Sequence, residues 1–402
     1  MRITFRKIQL FIVIIMIILL YNKVPINASG RAAGAIDNER ALKEALKVGE
    51  TVRLDDDVMM MEPLVIDDGK NHVIDLNGFG LKRKRIFKNT DNGSVIIIKN
   101  QSTKLTIKDS SSKKTGFISG GYAKCGGGIR VENSARLTVI GCLIESNYAN
   151  KGGGIYVGND SKAVITDSRI STNNGCDLFG SKNVKDFSEE MNALIVFAQH
   201  MEMSRDCDGG GIRVEATATC EINNTIIDGN RATGGAGISN YGKLEIMGSV
   251  IRNNFIIESS GLQMGAGIYN EGEASINDTE IIYNTRAANG GGIANNGNIF
   301  LEECTISNNS THGRGGGVYS QCVKKDKKIV FSGNNKITQN TAEYGGGMYV
   351  TANGSSEHGN VLKNIKINSN QATKEGGAIY IDKGLKEITC ADITMEQNNS
   401  DG

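Results

Sequence analysis

The chain has 402 residues, with 45 lysines and arginines against 44 aspartates and glutamates. A formal net charge of +1 excludes the strong basic footprint of a dedicated nucleic-acid binder. Two prolines beside 51 glycines suit a fold of continuous strand ladders broken by tight corners.

At the N-terminus Arg2, Arg6 and Lys7 precede an apolar run, Ile8–Leu20, and a small-residue site near Ala28. That is the layout of a signal peptide over residues 1–28, with cleavage expected between Ala28 and Ser29. The run is short for a bilayer span, so the chain is expected to be secreted or displayed at the cell surface, with no stable membrane span after cleavage. Residues 29–50 read as a linker and a capping helix: from Asp37 to Lys47, Leu42, Ala45 and Leu46 form an apolar face, and Gly49 ends it. Residues 51–125 carry strand-like runs without a regular repeat, about three irregular coils. The run Lys82-Arg83-Lys84-Arg85 is expected to be a solvated turn.

Residues 126–402 repeat one phrase nine times. Its first half is a glycine cluster followed by an apolar residue, as at Gly126–Ile129, Gly152–Ile155, Gly209–Ile212 and Gly290–Ile293. Its second half is apolar-x-x-Asn, giving the column Asn147, Asn173, Asn230, Asn254, Asn284, Asn309, Asn340, Asn370 and Asn398. A fixed period in this range marks a stacked repeat architecture. Each unit holds three short apolar runs of strand periodicity, such as Ile129/Val131, Leu137/Val139 and Leu143/Ile144, bounded by turn residues. One unit is therefore one coil of an all-β solenoid, whose strands pair with those of the next coil about 4.8 Å away. With the irregular coils, about twelve coils and a length of about 55 Å are expected. Asn tolerates the left-handed backbone region at a turn, and stacked amides bond along the ladder. Asn240, Asn270 and Asn295 form a second, shorter ladder expected to face inward.

The glycine cluster plus apolar residue followed by apolar-x-x-Asn resembles the repeats of chlamydial polymorphic outer-membrane proteins, here with Ile where that family favours Phe. The resemblance spans Gly126 to Asn398. It implies a right-handed, single-stranded parallel β-helix (pectin-lyase-like) of the kind found in bacterial surface proteins.

Between Ile155 and Ile212 the spacing is one repeat plus a surplus, residues 175–208. Asp186-Phe187-Ser188-Glu189 has capping-box form, and Phe187, Met191, Leu194, Ile195 and Ala198 recur at helical spacing, so a helical insertion is expected. Cys176 and Cys207 bracket it and could close its base as a disulfide. Cys142, Cys220, Cys304 and Cys390 fall on inward positions and read as core fillers, whereas Cys125 and Cys322 lie in or beside turns. No cysteine or histidine cluster has metal spacing, so neither metal nor cofactor is expected.

The residue after each post-glycine apolar position is expected to face solvent. This column begins Arg130, Tyr156, Arg213 and later supplies Tyr269, Tyr319, Tyr349 and Tyr380; two positions further lie Glu132 and Glu215. Stacked Tyr either stabilises the parallel ladder or offers a platform for sugar rings. The arginines and glutamates either pair with one another or line a cleft walled by the insertion. Two functions follow. One is a non-catalytic exported adhesin-like or carbohydrate-binding protein whose partner is a polysaccharide or a host glycoprotein surface. The other is a polysaccharide lyase or glycoside hydrolase acting beside residues 175–208, for which paired carboxylates are the requirement. The first explains more of the sequence, since no catalytic cluster stands out.

Overall fold

The computed structural model describes residues 35–49, 51–84, 91–175, 207–257, 262–322, 328–352, 360–382, 385 and 388–401. The signal segment, the insertion helix and Cys176 lie outside these residues. Residues 35–402 form one compact unit.

The unit opens with helix α1, Glu39–Val48, whose start is fixed by the Asn38 side chain accepting from Ala41 N–H at 3.0 Å. Its buried face is Leu42 and Leu46, with Ala45 packed against the same core. α1 thereby covers the first coil, as the sequence predicts.

From Tyr122 onward the coils carry four columns of strand, not three, the fourth being interrupted. In the first regular coil they are Ile129–Val131, Arg136–Ile140, Leu143–Glu145 and Tyr148–Lys151. The pairings between coils are parallel, with register shifts only in the fourth column, at Ala287/Asn289 and Ala342/Tyr344 among the described residues; Ile129, for example, faces Ile96 on one side and Ile155 on the other. The first column is an 11-stranded sheet, the second and third join in a 22-stranded sheet, and the fourth is broken into shorter sheets. The second column has one more strand than the first, in agreement with twelve coils. The fourth column, just before the glycines, escapes sequence reading because its residues show no apolar alternation. It is built of segments such as Thr341–Tyr344 and Gln371–Glu375, held by main-chain pairing.

The core is a continuous cluster of inward Ile, Leu and Val from the first three columns. Cys142, Cys220 and Cys304 sit in it with no exposed surface, and burial pushes the Cys220 thiol up to about 12 and that of Cys304 up to about 11. Cys390 departs from expectation. Its register matches the buried Leu362, yet it is exposed, because it lies on the last described coil and no further described strand pairs beyond it.

The asparagine ladder is continuous. Each Nδ2 donates to the next Oδ1 at 3.0–3.1 Å, from Asn147 through to Asn398. Each amide also bonds main chain: Asn254 Nδ2 donates to Ile227 O, and Asn254 Oδ1 accepts from Asn230 N–H. The left-handed residue at this corner is the one before the ladder Asn, such as Ser146, Thr172, Asn253 or Tyr283. That corrects the backbone role assigned to the Asn. Its side chain must point inward to reach both neighbours, and the preceding residue takes the turn. The shorter ladder is likewise present, Asn240 to Asn270 at 2.7 Å and Asn270 to Asn295 at 2.8 Å, and runs on to Ser320.

Two glycines of a cluster serve different ends. Gly152 has φ +65, while Gly153 has no room for a Cβ, which would strike the Asn174 and Gly210 carbonyl oxygens of the adjacent coil. The basic run at Lys82 is a second correction. Lys82 and Arg83 belong to the strand Gly80–Arg83, and Arg83 is only 3% exposed, donating to Asn92 O at 3.0 Å. Burial lowers its pKa. Lys84 follows the strand and Arg85 lies outside the described residues.

Candidate functional site

The fourth column determines the environment of the predicted site residues. Its last residue in each coil, among them Lys151, Asp208, Met264, Arg314 and Tyr344, lies five positions before a first-column outward residue. The glycine corner between them brings the two columns side by side. The outward face of the first column is therefore half covered, against the expectation of a solvent-facing stripe. Tyr269, Tyr319 and Tyr349 are 1%, 4% and 4% exposed, Arg213 is 6% exposed, and Arg130, Tyr156 and Tyr380 are half-buried.

The tyrosines form an outer apolar cluster with Met264 and Tyr344 of the fourth column. Tyr349 stacks on Tyr380 at 4.9 Å and on Tyr319 at 5.7 Å. The hydroxyls of Tyr349 and Tyr269 are engaged. Tyr349 donates to Asp382 at 3.0 Å, which together with burial pushes the phenol up to about 12, and Tyr269 donates to Glu271. Like-on-like stacking along the ladder accounts for most of this column.

Toward the N-terminal coils the same groove becomes polar. Tyr156 lies in register between Arg130 and Arg213. Arg130 is paired to Glu132, just past the end of its strand, Nε to Oε1 at 2.7 Å and Nη2 to Oε2 at 2.8 Å, and its Nη1 donates to Asp91 O. Burial would lower its pKa; the Glu132 pair raises it. Burial and the neighbouring Glu215 hold the Tyr156 phenol well above its usual range.

Arg213 is the centre of the cluster. Its Nη1 donates to Asp208 and its Nη2 to Glu215 Oε2 at 3.2 Å, while the guanidinium lies 3.7 Å from the Tyr241 ring centroid. Asp208 Oδ2 also accepts from Tyr241 OH at 3.0 Å and Ser239 Oγ at 3.1 Å. The other oxygen, Oδ1, is buried without a hydrogen-bond partner among the described residues. Burial raises the Asp208 pKa, against the lowering effect of Arg213.

The sequence thus brings Arg130, Glu132, Tyr156, Arg213 and Glu215 together as expected, over about 10 Å of three coils. It leaves the remaining tyrosines as a separate apolar stretch of the same groove. Asp208, Ser239 and Tyr241 were not anticipated as site residues. The signal for Asp208 was its place just before a glycine cluster. In the coil Asp208 pairs with Lys151 and Gly234, so it belongs to the fourth column and not to the insertion. Gly175 likewise stays in the coil, donating to Arg231 O at 2.7 Å. The extra residues are therefore 176–206, and the described chain resumes at Cys207, directly before Asp208. Cys207 is buried at their exit; the disulfide expectation falls on Cys176, outside the described residues.

Comparison with known proteins defines the class. The family model for a right handed beta helix region matches residues 77–192, and that for the Chlamydia polymorphic membrane protein repeat matches residues 303–321 and 364–382. The chain is a right-handed parallel β-helix protein with repeats of the polymorphic-membrane-protein type. Among solved structures it is similar to the Dettilon tailspike protein, with 13% identity over 89% of this chain and 67% of that one, at a TM-score of 0.38. No curated protein matches. Among the described residues no helix is long and apolar enough to cross a membrane.

Proposed function

We propose that the protein is an exported, non-catalytic surface or secreted protein of adhesin-like, carbohydrate-binding type. Its polymeric ligand lies along the groove between the first and fourth columns. The observation that carries this is the in-register series Arg130, Tyr156 and Arg213 with Glu132 and Glu215 beside it. It offers planar donors, carboxylate acceptors and an aromatic edge at coil spacing, the mixture that recognises sugar hydroxyls and ring faces. The arginines are already held by their carboxylates, so the groups are fixed before a ligand arrives, which favours binding through preorganisation. The signal-peptide layout and the polymorphic-membrane-protein repeats support export to the surface.

A second reading, a glycoside hydrolase or polysaccharide lyase, is favoured by one observation: Asp208 has a raised pKa and Glu215 sits on the other side of the same guanidinium. Against it, Arg213 occupies the space between the two carboxylates.

One experiment separates the two. Residues 29–402 are presented with plant, algal and mucin polysaccharides, and both retention and reducing-end release are measured. Retention without release, weakened at least tenfold by Arg130→Ala with Tyr156→Ala, is the expected result. Release that disappears in Asp208→Asn or Glu215→Gln would replace the binding reading with the catalytic one.

A further inference from the structure

The second column presents a different surface. On three consecutive coils its outward positions carry cations and no carboxylate. Arg136 lies in register between Lys104 and Lys162, with Lys104 and Arg136 exposed and Lys162 half-buried. Two positions on are Thr106 and Thr138, and Lys108 follows on the first of these strands. Like charges directly opposite one another on strands about 4.8 Å apart destabilise a sheet. On the later coils of this column the cost is offset: Lys162 meets Glu221 of the next coil at 2.5 Å, and Lys243 meets Glu245 at 2.7 Å. Lys104 and Arg136 form no ion pair among the described residues.

Three carboxylates of the neighbouring coils are held by other groups. Asp75 accepts from the Asn77 and Ser110 N–H groups, Asp109 from those of Gly78, Ser111 and Gly116, and Glu132 is held by Arg130.

We propose that this face is a second binding site, for an anionic polysaccharide. The polymer runs along the solenoid axis with its carboxylates or sulfates over Lys104 and Arg136, toward Lys162, which Glu221 already pairs, and its hydroxyls reach Thr106 and Thr138. The chemistry matches in two respects. One cation per coil repeats at about the advance of one sugar ring, whereas duplex DNA presents a charge every ~1.7 Å and calls for a denser basic surface. The face also lacks the aromatic platforms on which single-stranded bases stack. A polyanion relieves the unfavourable stacking of Lys104 on Arg136, which the fold itself leaves uncompensated.

The test measures the affinity of residues 29–402 for heparin and for polygalacturonate at two salt concentrations, beside neutral dextran and duplex DNA. Lys104→Gln with Arg136→Gln should weaken binding of at least one of the two anionic polymers tenfold or more and flatten its salt dependence. Arg136→Lys should retain most of it. Lys336→Gln is the control, since Lys336 is an exposed cation in register with Lys366 on the third column. Both substituted positions point into solvent and the double variant removes a like-charge stack, so the variants should melt no lower than the parent chain. No measurable binding of either anionic polymer, equal weakening by Lys336→Gln, or equally tight binding of duplex DNA would overturn the proposal. Retention of a neutral polymer by the double variant, together with undiminished binding of both anionic polymers, would leave the groove reading standing while this one falls.

Discussion

At the residue scale, stability rests on side chains that bond two coils at once. Asn254 is fully buried, donates to Asn284 and Ile227, and accepts from the Asn230 backbone and side chain. Asn254→Ala orphans those groups together, so a loss of about 2–4 kcal/mol is expected, since each buried unsatisfied group costs about 1–3 kcal/mol. Amide exchange should show it first in the coils holding Asn230 and Asn284. Asp208 behaves in the opposite sense to a stabilising surface carboxylate. Its raised pKa means that the folded state holds the proton more tightly than the unfolded chain does. Its contribution to stability is then greatest below the ordinary aspartate range and declines as pH rises through the folded value. Carboxyl NMR titration should place Asp208 above that range, and Arg213→Met should move it higher still. An unchanged or lower value in Arg213→Met would show that the guanidinium does not hold the Asp208 carboxyl down. The column of Asn was legible in the sequence because each member stands alone in a fixed phrase. Asp208 was not, because its partners Arg213, Ser239 and Tyr241 are gathered by corners and stacking and not by spacing.

At the scale of elements, α1 and the fourth column show where pattern reading succeeds and stops. The helix was legible down to its apolar face because capping and periodicity are local. Leu42 is fully buried against the first coil. Leu42→Ala should cost about 2–5 kcal/mol, seen as a lower thermal midpoint with early loss of protection around the strands Thr51–Arg53 and Val58–Met60. Unchanged melting would mean that α1 does not cover core. The fourth column carries no such local signal. Its strands exist because the preceding coil supplies a parallel edge, and they in turn cover the outward tyrosines of the first column. For that reason the tyrosine stripe changed from an expected solvent platform into a mostly buried stack.

At the scale of the whole molecule, each coil touches only its neighbours, so stability is close to a sum of coil and interface terms. The point at which residues 176–206 leave the solenoid has intact main-chain bonds on both sides, Gly175 N to Arg231 O and Asp208 N to Asn150 O. Removing residues 182–202 should therefore leave strand content and cooperative melting by circular dichroism within a few degrees of the parent. Loss of cooperative melting would show that these residues cover core. By itself the sequence determined the architecture: the period, the inward apolar positions, the glycine corners and the asparagine column repeat, and a repeated local rule admits one stacked solution. The tertiary structure alone decided which outward side chains stay accessible and which cluster around Arg213. Accessibility depends on how neighbouring columns lean on one another across a corner, a relation between coils that no single stretch of sequence encodes.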